Sequence, residues 1–244
     1  MLSTYKKFHK SILDILFPIK CISCKKEGFW ICHKCFNKIH INTEHYCSVC
    51  QTKLTPNGKT CISCKRVNHL DGMIWATNYR EPIIAQAIHL FKYRFIQDLH
   101  YPLGNLILKS MTKTEMPIPD LIIPIALHPR RLRWRGFNQS ELLAKIISNN
   151  LLPLHKIPIA EDILMRQKNT KPQMEIKRRK QRQQNISGAF SIKNSNLIEN
   201  KTILLIDDVS TTGSTIFECA KILKSQGAKE VFAAIVAKQE VGRH

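Results

Sequence analysis

Two adjacent carboxylates, Asp207 and Asp208, stand directly before a small hydroxyl-rich run containing Ser210, Thr211, Thr212, Gly213, Ser214 and Thr215. Hydroxyl donors and free backbone N–H groups at the start of a helix bind anions, because that helix end carries partial positive charge. A glycine inside the run lets the backbone approach a ligand closely. A bare phosphate would be repelled by the acid pair, so the acids must serve another purpose. They suit sugar hydroxyls or Mg²⁺, a hard cation that prefers oxygen ligands. Arginine is concentrated at Arg130, Arg131, Arg133 and Arg135, whose planar forks match phosphate oxygens in pairs. Cysteine is concentrated at the other end of the chain. Eight of the nine cysteines form four C-x-x-C pairs: Cys21/Cys24, Cys32/Cys35, Cys47/Cys50 and Cys61/Cys64. Two such knuckles complete a tetrahedral site, so four predict two structural zinc ions. Pairing along the sequence groups Cys21, Cys24, Cys32 and Cys35 for one ion and Cys47, Cys50, Cys61 and Cys64 for the other; an interleaved cross-brace stays open. Disulfides are the competing use of these thiols. Nothing in the sequence marks secretion, and a reducing cytosol keeps thiols free.

The elements that must hold these groups are legible around them. Ile203 to Ile206 is an apolar run too short for a helix and suited to a buried parallel strand ending at the two acids. Ile216, Cys219, Ala220 and Leu223 follow at helical spacing, and Gly227 supplies the stop. Cys219 falls on the apolar face and reads as a small packed hydrophobe. Asp120 to Leu127 is a second strand, Met73 to Tyr79 a third. Glu81 to Leu99 reads as a helix with Ile84, Ile88, Phe91 and Phe95 on one face, interrupted by Lys92, Tyr93 and Arg94, which face solvent or reach a ligand. Leu103 to Met111 is another helix, and Asn138 with Glu141 forms a capping box for one carrying Leu142, Leu143, Ile146 and Ile147. Both anion-binding stretches therefore follow strands, where open α/β sheets bind their ligands. The lysine of a G-x-x-x-x-G-K-[ST] loop and the G-x-G-x-x-G fingerprint are both missing, which leaves nucleotide-triphosphate and dinucleotide folds without support.

The acid pair and its turn closely resemble the phosphoribosyl-pyrophosphate (PRPP) loop of type I phosphoribosyltransferases, in which the turn holds the 5′-phosphate and the acids hold the ribose hydroxyls. Over nearly its full length the chain resembles the ComF family of competence-associated, phosphoribosyltransferase-like proteins. The features that carry this are the cysteine-rich start, FKYR (Phe91 to Arg94), RLRWRGFNQ (Arg131 to Gln139), KPQ (Lys171 to Gln173), NISGAF (Asn185 to Phe190) and LLIDDVSTTGST (Leu204 to Thr215). The resemblance implies a parallel sheet with helices on both faces plus a small N-terminal double zinc-ribbon module. It also implies a PRPP·Mg²⁺ site, with a pyrophosphate loop at Ile125, Ala126, Leu127 and His128 supported by Arg130 and Arg131. Two positions depart from the family pattern: Pro124-Ile125-Ala126 replaces proline-x-proline, and Phe95 stands where a glycine is common.

A net charge of +20, from 38 basic and 18 acidic residues, points to a polyanionic partner rather than to any need of the fold. Arg133 and Arg135 with Trp134 and Phe137 combine cations and stacking rings, the mixture used for single-stranded nucleic acid. Lys177, Arg178, Arg179 and Lys180 add a second basic run, readable as a DNA contact or as part of a mobile lid. Residues 1–17 suggest a short amphipathic helix rather than a secretory signal. No apolar run is long enough to span a bilayer, so the cytoplasm is the expected compartment. The expected organisation is an N-terminal helix (1–17), a double zinc-ribbon module (18–70) and a phosphoribosyltransferase-like domain (71–244). The family resemblance implies a role in DNA uptake, alongside other uptake proteins. The competing readings are an active phosphoribosyltransferase on a nucleobase or related amine and a metal-dependent adaptor with a vestigial pocket. The sequence does not fix an oligomeric state.

Overall fold

A computed structural model describes residues 18–114, 116–170, 176 and 179–239. The helix expected at 1–17, the Lys171 to Gln173 motif, Lys177 and Arg178, and the side chains of Arg179 and Lys180 lie outside the described residues. The chain divides into two compact units, one closing at His40 and one running from Ile41.

In the first unit a knuckle at Cys21 and Cys24 is followed by a one-turn helix, α1 (His33–Phe36), which begins immediately after Cys32. The second unit repeats this plan with the knuckle at Cys47 and Cys50 and a one-turn helix α2 (Ile62–Lys65) after Cys61. The repetition reaches single hydrogen bonds. The Cys21 N–H donates to Lys26 O and the Cys47 N–H to Lys53 O, each at 2.8 Å. Lys25 and Gln51 both take positive φ.

The rest of the second unit is an α/β layer structure. It contains β1 (Gly72–Asn78), α3 (Pro82–Tyr93), α4 (His100–Met111), β2 (Leu121–Pro124), α5 (Pro129–Arg135), α6 (Gln139–Asn150) and β3 (Leu164–Arg166). It continues through α7 (Arg179–Ile186), β4 (Phe190–Ile192), β5 (Thr202–Ser210), α8 (Ser214–Ser225) and β6 (Glu230–Lys238). Four strands form one parallel sheet in the order β1-β6-β5-β2. β3 and β4 pair antiparallel as a separate ribbon. Helices α4 and α6 cover one face of the sheet and pack on each other, while α8 lies on β5 and β6 and also meets β4 and α7. Ile203 and Leu205 of β5 join the core beneath Ile216, Cys219, Ala220 and Leu223 of α8. Cys219 is fully buried there, as its helical spacing suggested. The continuous apolar character of β5 follows from having both faces covered.

Several boundaries differ from the sequence reading: the strand expected through Leu127 ends at Pro124, and the helix expected from Leu103 begins at His100. The helix expected through Leu99 ends at Tyr93, because Phe95 turns to φ 57° and the chain restarts as α4 at His100. A phenylalanine in that region costs about 1–2 kcal/mol, which the neighbouring packing must offset. The strand expected to stop at Ile206 runs on to Ser210, since β6 continues to pair with it through Lys238.

The second cysteine cluster is bound into the sheet edge. Asn42 N–H donates to Ala76 O and Thr60 N–H to Asp71 O, each at 2.8 Å. Gly58, at φ 65°, lies so close to β1 that a Cβ there would sit 2.6 Å from Met73 O. Asp71 clamps the arrangement: its carboxylate meets Lys65 Nζ at 3.1 Å and Lys224 Nζ at 2.7 Å, and it accepts the Val231 N–H at 2.8 Å. Burial opposes the charge on Asp71, but Lys224, the Val231 N–H and Lys65 outweigh it and hold the carboxyl below the usual range.

Candidate functional site

The C-terminal ends of β5 and β2 open into a cavity of about 380 Å³. One wall is the β5–α8 turn. Ser210, Thr211, Thr212 and Ser214 are buried, and the Thr212 and Ser214 hydroxyl oxygens lie 2.7 Å apart. Gly213 occupies the N-cap of α8 at φ 80°, and a Cβ there would sit 2.7 Å from the Phe217 ring. Both the backbone angle and the space demand glycine. This turn leaves the first N–H groups of α8 beside four small hydroxyl side chains, the arrangement that binds a phosphate. Every residue from Asp207 to Thr215 lines the cavity.

The acids differ in their surroundings. Asp208 Oδ1 is 2.8 Å from the Lys92 ammonium, with side-chain exposures of 8% and 17%. Burial opposes the charge on Lys92, but Asp208 and then Asp207 hold its pKa above the ordinary value. Asp207 Oδ1 accepts the Ser140 hydroxyl at 3.2 Å and the Asp208 N–H at 2.9 Å. Desolvation, then repulsion from Asp208, pushes its carboxyl up to about 7. One acid of the pair is thus matched by a lysine, while burial and the neighbouring charge push the other up to about 7.

The opposite wall comes from β2 and the helices after it. Ile125, Ala126, Leu127 and Arg131 line the cavity. Asn138 Nδ2 donates to Ile125 O at 3.1 Å and to Glu141 Oε1 at 3.1 Å, while its own oxygen accepts the Ser140 N–H. The asparagine therefore caps α6 and ties that helix to the loop after β2. His128 and Arg130, expected in the same loop, are not among the cavity-lining residues. His128 Nδ1 accepts the Arg130 N–H at 3.2 Å and caps α5, and Arg130 is exposed.

The residues grouped by sequence as a nucleic-acid surface separate. Trp134 and Arg135 line the cavity, Arg133 is exposed, and Phe137 is buried with its ring 5.6 Å from Phe91. Phe137 as a stacking platform is corrected by this packing, which takes up its ring. Arg135 Nη1 donates to Gln139 Oε1 at 2.6 Å, leaving its Nε buried without a partner. Arg166, from β3, also lines the cavity, with its Nε in the same condition. Arg166 Nη2 donates to Thr170 Oγ1 and Arg131 Nη2 to Thr170 O, each at 2.5 Å. Desolvation lowers the pKa of both Arg135 and Arg166. Four cations (Lys92, Arg131, Arg135 and Arg166) therefore face two acids, a balance suited to a ligand carrying several negative charges. Sequence reasoning missed Arg166, which no local motif marks, and left Lys92 undecided between solvent and ligand.

The cysteines gather as two separate sets, Cys21, Cys24, Cys32 and Cys35, and Cys47, Cys50, Cys61 and Cys64, with the sulfurs of each set within 4.8 Å of one another. The pairing left open by the sequence is thus sequential. Four thiolates around Zn²⁺ stand about 3.8 Å apart at a Zn–S bond near 2.3 Å. The Cys24–Cys32 and Cys50–Cys61 sulfur separations of 3.5 and 4.0 Å fit that geometry. In each set the third cysteine's N–H donates to the first cysteine's sulfur at 3.4 Å. These are two structural zinc sites.

Sheet, ribbon and cavity together define a phosphoribosyltransferase-type α/β protein joined to a double zinc ribbon. The double zinc ribbon domain matches residues 12–65 and the phosphoribosyl transferase domain residues 138–244. The chain is 32% identical over 227 residues to competence protein F of Haemophilus influenzae, covering 88% of this chain and 95% of that one. It is 27% identical over 223 residues to DNA utilization protein YhgH of Escherichia coli K12, covering 88% and 94%. Competence protein ComFC of Bacillus subtilis is 25% identical over 211 residues, covering 81% and 79%. The chain belongs to the ComF family. Among the described residues no helix is long and apolar enough to cross a membrane.

Proposed function

We propose that the cavity binds PRPP with Mg²⁺ and that the protein acts in DNA uptake through the handling of single strands in the cytoplasm. The observation that carries the first part is the convergence of Asp207–Thr215 with Lys92, Arg131, Arg135 and Arg166 around one cavity. In this reading Thr211 to Thr215 hold the 5′-phosphate and Asp207 and Asp208 hold the ribose hydroxyls. The loop Ile125–Leu127 with Arg131 receives the pyrophosphate, and Arg135 or Arg166 supplies its unpartnered Nε–H to the same charge. The two acids are the carboxylates on the cavity wall, so they fit a hard cation as well as a sugar. Mg²⁺, when bound, neutralises diphosphate charge and orients the leaving oxygen. The second part is supported by the names of relatives that align over most of their length and by the +20 charge.

If an amine or nucleobase acceptor is used, its nitrogen forms a bond to the ribose C1 as the C1–O bond to pyrophosphate breaks. The cations then stabilise the departing charge by position rather than through a covalent intermediate. A thermal-shift series with PRPP·Mg²⁺, ribose 5-phosphate and pyrophosphate tests the site, since a native-state ligand stabilises by mass action. PRPP should give the largest shift, and pyrophosphate release on adding candidate acceptors separates turnover from binding. Equal response to all three anions would reduce the cavity to an unspecific phosphate trap.

A further inference from the structure

Three large aromatic side chains stand open at the mouth of the cavity. Tyr93, Phe95 and Trp134 are 44%, 37% and 58% exposed. Tyr93 and Trp134 belong to the cavity wall, and Phe95 meets Trp134 edge-on at 5.1 Å with the rings at 83°. Phe95 reaches that position only by adopting φ 57°, a conformation that a bulky side chain rarely takes. Backbone strain that persists beside a ligand cavity is a mark of use. The edge contact fixes the indole orientation while more than half of its surface stays open. The Arg135 guanidinium is 5.9 Å from the same ring. Arg130, one helical turn before Trp134 on α5, and Arg133 are exposed outside the cavity.

We propose that Tyr93, Phe95 and Trp134 form a stacking subsite for an unpaired nucleobase at the cavity mouth. Open ring faces recognise a flat aromatic ligand, whereas an aliphatic chain would need a closed groove. The surrounding arginines suit the phosphates attached to such a base. The base is supplied by a single strand or by a free nucleotide; in either case its ring lies beside the phosphoribosyl site, and the inference rests on that reading only for what lies beneath the ring.

The test compares binding of an oligodeoxythymidine of about twelve nucleotides, within the site size of single-strand binders, with an abasic strand of equal length and with adenosine monophosphate. The base-bearing strand should bind the wild type roughly tenfold or more tightly than the abasic strand. Trp134→Ala and Phe95→Gly should remove most of that difference, and Trp134→Phe should keep part of it. Glycine accepts the backbone angle at 95 without strain, so loss of binding in Phe95→Gly reports the ring and not the fold. The same variant should keep its melting-temperature response to PRPP·Mg²⁺. Trp134-dependent binding of the monophosphate without base discrimination in the strand would assign the subsite to a free nucleotide. Base discrimination in a wild type that ignores PRPP would keep the subsite and remove the phosphoribosyl reading. No base-dependent binding of either ligand, or binding unchanged in both variants, overturns the proposal.

Discussion

Lys92→Met deletes the ammonium that neutralises Asp208 and keeps most of the aliphatic stem. The pair is short, 2.8 Å, and its side chains are 17% and 8% exposed. Removing one partner of a buried ion pair strands the other charge, at about 3–5 kcal/mol. The cavity admits solvent on one side, so the lower figure, about 3 kcal/mol, applies. For a unit of about 200 residues that is a fall of roughly 6–12 °C in melting temperature. Asp208→Asn removes the stranded charge, so the double variant should regain much of the loss. A double-mutant cycle in urea at neutral pH should give a coupling of about 2 kcal/mol. Costs within about 0.5 kcal/mol for Lys92→Met, additive with Asp208→Asn, would mean that the two charges are screened by water. That result would refute the assignment of Lys92 to the cavity wall.

Elemental analysis should find two zinc ions per chain, and Cys21→Ser or Cys61→Ser should each leave one. Cys61→Ser should lower the main unfolding transition and Cys21→Ser should barely move it, because only the second cluster belongs to the unit that contains the sheet. Asp207, raised to about 7, binds its proton more tightly folded than unfolded. Its contribution is therefore fully present below about pH 4 and is lost as pH rises through 7, a change of about 2–4 kcal/mol. Asp207→Asn should flatten that profile and raise stability at alkaline pH; an unchanged profile would show that Asp207 is not desolvated. Replacing Lys177, Arg178, Arg179 and Lys180 with alanine should weaken single-strand binding and flatten its salt dependence while sparing the PRPP response. An unaltered salt slope would exclude the basic run from the contact.

The turn from Asp207 to Thr215 was legible because strand, acids, hydroxyls and helix are contiguous, so local chemistry and local structure coincide. The four cysteine pairs were legible for the same reason; their grouping became clear only once the knuckles could be placed in space. The rest of the cavity is assembled across long sequence separations. Lys92 reaches it from the end of α3, within a matched stretch that did not show which of its polar residues turns inward, and Arg166 comes from a three-residue strand with no periodic or motif signal. Within the arginine-rich helix, spacing showed a cation cluster but not its orientation. Arg131 and Arg135 lie one turn apart and face the cavity, whereas Arg130 and Arg133 are exposed. Phe137 looked like a surface ring because it stands beside the arginine-rich run, yet the turn at Gly136 carries it into the core against Phe91. The break after Tyr93 was missed because phenylalanine at 95 is no turn residue in itself, although the glycine common at this position in the family agrees with its φ of 57°. Asp71 was passed over because a single acid beside a cysteine region looks like solvated surface until Lys224 and Val231 arrive from the other end of the chain.

The central claim is that Asp207, Asp208 and the turn to Thr215 bind a phosphoribosyl diphosphate. Isothermal titration of the zinc-loaded protein with PRPP·Mg²⁺ measures it most directly. Saturable one-to-one binding is expected for the wild type, with no detectable heat for a folded Asp207→Asn, Asp208→Asn double variant. Absence of binding by the wild type, or equal affinity in the double variant, would contradict it.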